Sequence, residues 1–406
     1  MAAAAEEAAS MRFPTWAVAA ALLAKAFLAL TTTGTNDAVT WTHDLSTLRT
    51  EGPAKLYREG VQYASPSGTL YQRQLFIHPP GIVTGLYGLG MLQNVSGLPL
   101  TFWMRMLCAL ADIGALAVVW ALFRRTATTG LMVLLALSPI SILVSGFHVN
   151  TDPIMTFFVV LTVFLVERKH SGWAAVAFGL ATSIKLVPLI YLPAMIAYLP
   201  RNAARAKWVA VAGATWVAVG MPWLAQYPGL ILRTILSYSG ATGSWGFYFL
   251  SGLLKLMGMA GVHDLYGPVA RWIALLAVTL VPFVLKALAP RPSLFVQFGA
   301  ITFLFLFLSP GFGLQYLAWT VPWIVALGIG PAAEYYAIAG TFMLAVYTEA
   351  AGGWKANAYA ELLTPKNHTM LLLMGLVCWI AVGAVLWRYA RLTLESRCNG
   401  RASGGG

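Results

Sequence analysis

The chain has 406 residues, of which 59% are hydrophobic and 10% charged; its mean hydropathy is +0.73 and its formal net charge +12. A soluble domain carries about 25% charged residues, so this composition excludes a soluble globular enzyme and describes an integral membrane protein. The positive charge forms no basic patch with interleaved aromatics of the kind that binds RNA or DNA. It lies instead at the ends of apolar runs, where lysine and arginine fix topology.

Lipid admits only helices or closed barrels as spanning structures. The apolar runs here are continuous and lack period-two alternation. The expected fold is therefore an all-α, polytopic transmembrane bundle of about 12 spans of about 20 residues each. In chain order the runs are 13–32, 101–123, 130–147, 153–166, 172–184, 186–199, 207–224, 268–288, 293–308, 313–329, 333–349 and 369–387. They divide the chain into a tail and first span (1–32), an outer loop with juxtamembrane helices (33–100), core spans (101–224), an outer loop with a half-inserted segment (225–267), C-terminal spans (268–388) and a cytoplasmic tail (389–406). The start, MAAAAEEAASMRFP, is acidic and lacks a secretory n-region, so the first span reads as retained. The three cysteines, Cys108, Cys378 and Cys398, show no metal spacing and no disulfide framework.

Orientation follows from the basic clusters Arg124–Arg125, Arg168–Lys169, Arg201/Arg205/Lys207, Lys286/Arg291 and Arg388/Arg391/Arg397/Arg401. All fall on the cytoplasmic face if residues 78–95, a glycine-rich run opened by two prolines, lie along the outer surface without crossing. Residues 245–259 read likewise as an outer or half-inserted segment. The outer face then collects 34–77, 146–152, 226–267, 309–311 and 350–368.

The first of these loops opens with Asn36-Asp37 and continues with Trp41, Leu45 and Leu48 at helical spacing, which predicts an amphipathic interfacial helix. Asp37 is either a solvated boundary carboxylate or a functional acid. His78 precedes Pro79 and Pro80, which fix the entry to the next helix. Arg105 and Asp112 share one face of their span with Cys108. A charge at mid-span, such as Asp112, needs a partner or a wet cavity. GFHVNTDP crowds His148, Asn150 and Asp152 at one boundary, where Asp152 before Pro153 also fits a helix cap. Lys185, between two short apolar halves with Pro188 and Pro193 after it, reads as a cation at headgroup level, suited to a phosphate or simply snorkelling. SPGFGLQYLAW offers Gln315, Tyr316 and Trp319, groups that hydrogen-bond and stack on sugars or line an aromatic belt. Arg233, Arg271 and Lys355 are further outer cations. There is no P-loop, HExxH or GxSxG, no metal-ligand cluster, and no seat for a nucleotide.

In this order Asn36-Asp37, His78–Pro80, Arg105 with Asp112, GFHVNTDP, IKLVPLIYLP and QYLAW resemble the GT-C superfamily of integral membrane glycosyltransferases. The narrower resemblance is to the bacterial polyprenyl-phosphate-mannose-dependent α-mannosyltransferases, and a more distant one is to the mannosyltransferase of GPI-anchor assembly. The resemblance implies that Asp37 is the catalytic acid residue of the first outer loop, acting as general base, with Asp152 a second acid at the same surface. It implies a sugar on a polyprenyl phosphate as donor, a lipid or glycan acceptor, no cofactor, and an active site facing outward from a bacterial inner membrane. A phosphate leaving group needs cations more than an acid. Lys185 is the first candidate, with Arg233 and Arg271 behind it, and His78, Arg105, Asp112, His148, Asn150, Gln315 and Tyr316 are the other substrate-binding candidates. The rival is a transporter or flippase using Asp112 and Lys185 as a substrate path; inverted repeats with paired broken helices would mark it, and none is evident. A related lipid-linked transferase or a non-catalytic scaffold is a further alternative. Asn94 and Asn367 match glycosylation sequons, which matter only in a eukaryotic secretory host.

Overall fold

A computed structural model of the protein describes residues 12–61, 75–200, 202–237, 245–288, 293–350 and 368–402. The expectations for Arg201, Arg291, Lys355 and Asn367 lie outside these residues, as do those for the side chains of Arg397, Cys398 and Arg401. The described residues are all-helical, without a strand. In chain order the helices are α1 Thr15–Thr31, α2 Asn36–Thr50, α3 Pro53–Glu59, α4 Pro80–Ser96, α5 Leu100–Phe123, α6 Thr129–Ala136, α7 Pro139–Leu143, α8 Asp152–Glu167, α9 Ser171–Ile184, α10 Leu192–Tyr198, α11 Asn202–Leu224, α12 Pro228–Leu236, α13 Gly246–Leu256, α14 Ala260–Leu288, α15 Leu294–Leu308, α16 Ile329–Ala350 and α17 His368–Ala402.

Four stretches are long and apolar enough to cross a membrane: α5, the broken run Thr129–His148, α14 and α17. Counting the bent pairs α1/α2 (68°) and α11/α12 (118°) as one span each gives six. By length and composition the described residues thus support four to six spans, fewer than the dozen expected. Several apolar runs are short, such as α9 with 14 residues and α15 with 15. Others are cut by proline, which removes a backbone donor and clashes with the preceding turn. Run 130–147 breaks at Pro139 and ends in a π turn, Val144–His148. Run 186–199 becomes a 3-10 turn, Val187–Tyr191, followed by α10, and run 313–329 becomes two 3-10 turns, Leu314–Thr320 and Trp323–Leu327. Residues 78–95 form α4, which is not among the candidate spans. Residues 245–259 contain only the 11-residue α13.

The bundle packs through small residues, as membrane helices must when lipid is as apolar as leucine. Ala174, Ala175 and Ala181 of α9 are fully buried in the main core, together with Val159, Val160 and Val163 of α8. Gly179 lets α9 approach α11 so closely that a Cβ there would sit 2.5 Å from the Ala212 carbonyl oxygen. A second, smaller core lies over one end of the bundle. There α2, α3, α4 and α12 bury Trp41, Leu45, Leu48, Tyr57, Leu86 and Ile231. The spacing of Trp41, Leu45 and Leu48 thus forms the amphipathic helix that it predicts.

Candidate active site

Several chain segments end or begin beneath that small core: the C-terminus of α1, the N-terminus of α2, the π turn before α8, the C-terminus of α9 and the 3-10 turn after α15. Between them lies a cavity of about 510 Å³. Asp37, Asn150, Lys185, His78, Gln315 and Tyr316 all line it, brought together from five separate stretches of sequence.

Asp37 occupies the first turn of α2. Its placement starts with Arg105, whose Nη1 donates to the carbonyls of Ala29 (3.1 Å) and Thr32 (3.0 Å) at the end of α1. A cation at a helix C-terminus satisfies carbonyls left without intrahelical donors. The chain then turns through Gly34 at φ +91°, where a Cβ would lie 2.2 Å from Arg105 Nη2. Only glycine combines that φ with that approach. Arg105 is buried and absent from the cavity wall, so the structure makes it a clamp on the backbone that leads to Asp37.

The partners of Asp37 come from the segment after the π turn. Asn150 Nδ2 donates to Asp37 Oδ2 at 2.7 Å, and His148 Nε2 lies 3.3 Å from the same oxygen. The other ring nitrogen of His148, Nδ1, is 2.7 Å from the Tyr347 hydroxyl. Between these two residues Val149 adopts φ +65°, ψ +67°. A β-branched residue in the left-handed region costs about 1–3 kcal/mol and persists where surrounding contacts over-determine it. Here Trp41 Nε1 donates to the Val149 carbonyl (3.0 Å), Thr35 Oγ1 to that of His148 (2.7 Å) and Cys108 Sγ to that of Asn150 (2.8 Å). The strained residue lets the side chains before and after it reach one carboxylate. Burial raises the pKa of Asp37, but the adjacent His148, the Asn150 amide and the charge of Lys185 outweigh it and hold the carboxyl below its ordinary value. Asp37 is therefore an anion at neutral pH.

Lys185 caps the C-terminus of α9 in extended conformation. Its Nζ donates to Asp152 Oδ2 (2.7 Å) and Asn150 Oδ1 (3.1 Å), and lies 5.7 Å from the centre of the Tyr316 ring. Asp152 is fully buried and accepts a second bond from Trp319 Nε1 at 2.5 Å. It makes no capping bond to α8; its side chain is spent on Lys185 and Trp319. Trp319 in turn stacks on Tyr316 at 4.3 Å. His78 packs its ring 4.7 Å from that of Trp41, and burial, reinforced by the charge of Lys185 against the opposing pull of Asp37, lowers its pKa to about 3. It stands neutral in the wall and offers hydrogen bonds without positive charge.

Six expected residues are absent from the cavity wall: Arg105, His148 and Asp152 act through neighbours on it, whereas Asp112, Arg233 and Arg271 stand apart. Asp112 pairs with Lys25 of α1 at 2.6 Å and accepts from Ser141 and Ser145, at 2.6 and 2.5 Å. Arg233 is exposed on α12, and Arg271 is exposed on α14 with its guanidinium 4.7 Å from the Trp272 ring. Two wall residues carry chemistry that the sequence reading passed over: Thr40 and Asp44. Asp44 was legible in principle, since Asp37, Trp41, Asp44 and Leu48 form one stripe at helical spacing.

Residues 147–256 match the family model described as Mannosyltransferase (PIG-M). This is about a quarter of the chain. It contains His148, Asn150, Asp152 and Lys185, and it leaves out Asp37. No curated protein matches the chain.

Proposed function

We propose that this protein is a membrane glycosyltransferase that moves a hexose, mannose by the family match, from a polyprenyl-phosphate donor to a hydroxyl of a lipid or glycan acceptor, with Asp37 as general base. One observation carries the reading. An ionised carboxylate, held by Asn150 and His148, faces a cavity walled by Tyr316, Gln315 and neutral His78, with a lysine on the same wall.

In an inverting displacement the acceptor oxygen attacks the anomeric carbon, its proton passes to a carboxylate, and the phosphate leaves with the bonding electrons. Asp37 supplies the carboxylate. Lys185 supplies the nearest positive charge for the departing phosphate, although Asp152 already matches that charge; Asp152 thus positions Lys185 rather than acting as a second base. A lipid-linked donor would bring its sugar to this end of the bundle with its tail in the bilayer. The ends of α5 and α8 that carry Arg124–Arg125 and Arg168–Lys169 lie opposite the cavity; Ser293 bonds Glu167 at that end, and Lys286 Nζ donates to the Ala197 carbonyl. By the positive-inside rule this arrangement supports a cavity facing away from the cytoplasm.

The test is label transfer from radiolabelled polyprenyl-phosphate-mannose to native membrane lipids, in nanodiscs. Removing a general base lowers rate by about 10²–10⁴-fold, so Asp37→Asn, folded and at normal abundance, is expected to lose transfer on that scale. Transfer by the variant at the wild-type rate would sink the assignment.

A further inference from the structure

Asp44 lies seven residues after Asp37 on α2, which is about 10 Å along a helix axis and 20° short of two full turns. Both carboxyls therefore lie on one stripe, and both line the same cavity. Asp44 is only 4% exposed, and among the described residues no hydrogen bond or ion pair engages it. Burial, together with the negative charge of Asp37, pushes its pKa up to about 8. Three other carboxylates in or near this end of the fold are matched: Asp37 by Asn150 and His148, Asp152 by Lys185 and Trp319, Asp112 by Lys25.

A buried polar group without a partner is costly and rare in folded proteins. Asp44 opens onto the cavity, so an occupant of the cavity can complete it. The cavity volume would accommodate a hexose, and half-buried Tyr316 lines the same space as the two carboxyls. A phosphate leaving group requires no proton, which leaves Asp44 without work as a general acid. Vicinal hydroxyls, by contrast, donate and accept side by side, and a carboxyl in either protonation state pairs with them.

We propose that Asp44 is a sugar-recognition residue: its carboxyl binds hydroxyls of the pyranose that lies along α2 with its reacting atom at Asp37. This rests on the glycosyltransferase reading above. The pyranose belongs either to the donor or to the acceptor, and the same chemistry serves both.

The experiment compares wild type, Asp44→Asn and Asp44→Leu in nanodiscs. One arm measures competition of polyprenyl-phosphate-mannose against bare polyprenyl phosphate. The other measures KM for a native lipid extract at saturating donor. Asp44→Leu is expected to erase at least ten-fold of the preference for the mannosylated lipid if the sugar is the donor's, or to raise the acceptor KM at least ten-fold if it is the acceptor's. Asp44→Asn, which keeps a hydrogen-bonding group, recovers part of either loss. Both variants are expected to melt at or above the wild-type temperature, since each removes an unpaired buried carboxyl. A structural role would lower the melting temperature of both, and that result overturns the proposal. So does a wild-type enzyme that transfers label while both variants keep preference and KM within two-fold; the glycosyltransferase reading then survives alone. A wild type that neither prefers the mannosylated lipid nor transfers label overturns both.

Discussion

Two lysine–aspartate pairs lie inside this protein with nearly the same geometry. Lys25–Asp112 joins α1 to α5 at 2.6 Å, and Lys185–Asp152 joins α9 to α8 at 2.7 Å. Their neighbours differ. Asp112 is closed by Ser141 and Ser145, and Lys25 also donates to Ser141 at 2.8 Å, so the cluster completes itself beside a void of about 30 Å³, room for a water or two. Lys185 faces a cavity more than ten times larger and shares Asn150 with Asp37. An ion pair inside a membrane protein is a functional hypothesis by default. Here the neighbours, and not the pair, separate a helix-to-helix tie from a substrate wall. The transporter reading links Asp112 and Lys185 in one path; the structure sets them in different clusters with different partners.

The sharpest way to break this comparison is to replace each pair whole. Replacing a buried pair by apolar residues of similar volume is often neutral or stabilising by about 1–4 kcal/mol, whereas removing one partner costs about 3–5 kcal/mol. Lys25→Met with Asp112→Leu is expected to fold, to melt within a few degrees of wild type, and to keep label transfer within about three-fold. Lys185→Met with Asp152→Leu is expected to fold equally well and to lose transfer by about 100-fold, the scale of one preorganised electrostatic contact. Thermal melts and transfer rates on the two double variants decide it. Equal loss of activity in both would erase the distinction drawn here.

A smaller effect sharpens the comparison from the backbone side. Gly34→Ala adds a Cβ against Arg105 Nη2 at a φ that L-residues rarely adopt. Strain of this kind costs about 1–3 kcal/mol. The variant touches neither pair, yet it displaces the entry to α2. Transfer is expected to fall about ten-fold with both pairs intact, and Arg105→Lys, which loses the planar guanidinium whose Nη1 reaches Ala29 and Thr32, is expected to fall alongside it. Unchanged kcat in Gly34→Ala would show that the Arg105 clamp does not position Asp37.

Much of the cavity was legible in the sequence because polar residues stand out against apolar runs. Asp37, His78, Asn150, Lys185, Gln315 and Tyr316 each interrupt or bound such a run, and the fold gathers them. Arg105 and Asp112 stood out equally, and their shared helix face suggested a shared task. Their partners, the Ala29 and Thr32 carbonyls and Lys25, come from α1, about 75 to 90 residues upstream, and no local spacing reveals them. Asp44 failed to stand out for the opposite reason: in THDLSTLRT it lies in a polar stretch and looks solvated, and only the packing of α2 against its neighbours buries it. The dozen expected spans were counted on apolarity, whereas length and composition together support four to six among the described residues. The proline-cut pieces are apolar enough, but several are 5 to 8 residues long.

The smallest effect concerns the carboxyl that neither pair resembles. Among the described residues Asp44 has no cation, and its pKa stands near 8 in the folded protein against about 3.9 in an unfolded chain. Between those values the folded state holds a proton that the unfolded state has shed, so this group makes stability fall as pH rises. Its contribution is fully present below about pH 4 and is lost as pH climbs through about 8. Asp37 has the opposite sign: its lowered pKa contributes stability above the ordinary carboxylate range and loses it in acid. Melting temperatures taken from pH 5.5 to 8.5 lie above the Asp37 window and inside that of Asp44. Wild type is expected to melt progressively lower across this range, and Asp44→Asn to show a shallower slope. Parallel slopes would mean that Asp44 is already ionised at pH 5.5 and therefore has a counter-charge in the folded protein, which would place it beside Asp37, Asp112 and Asp152 as a fourth matched carboxylate.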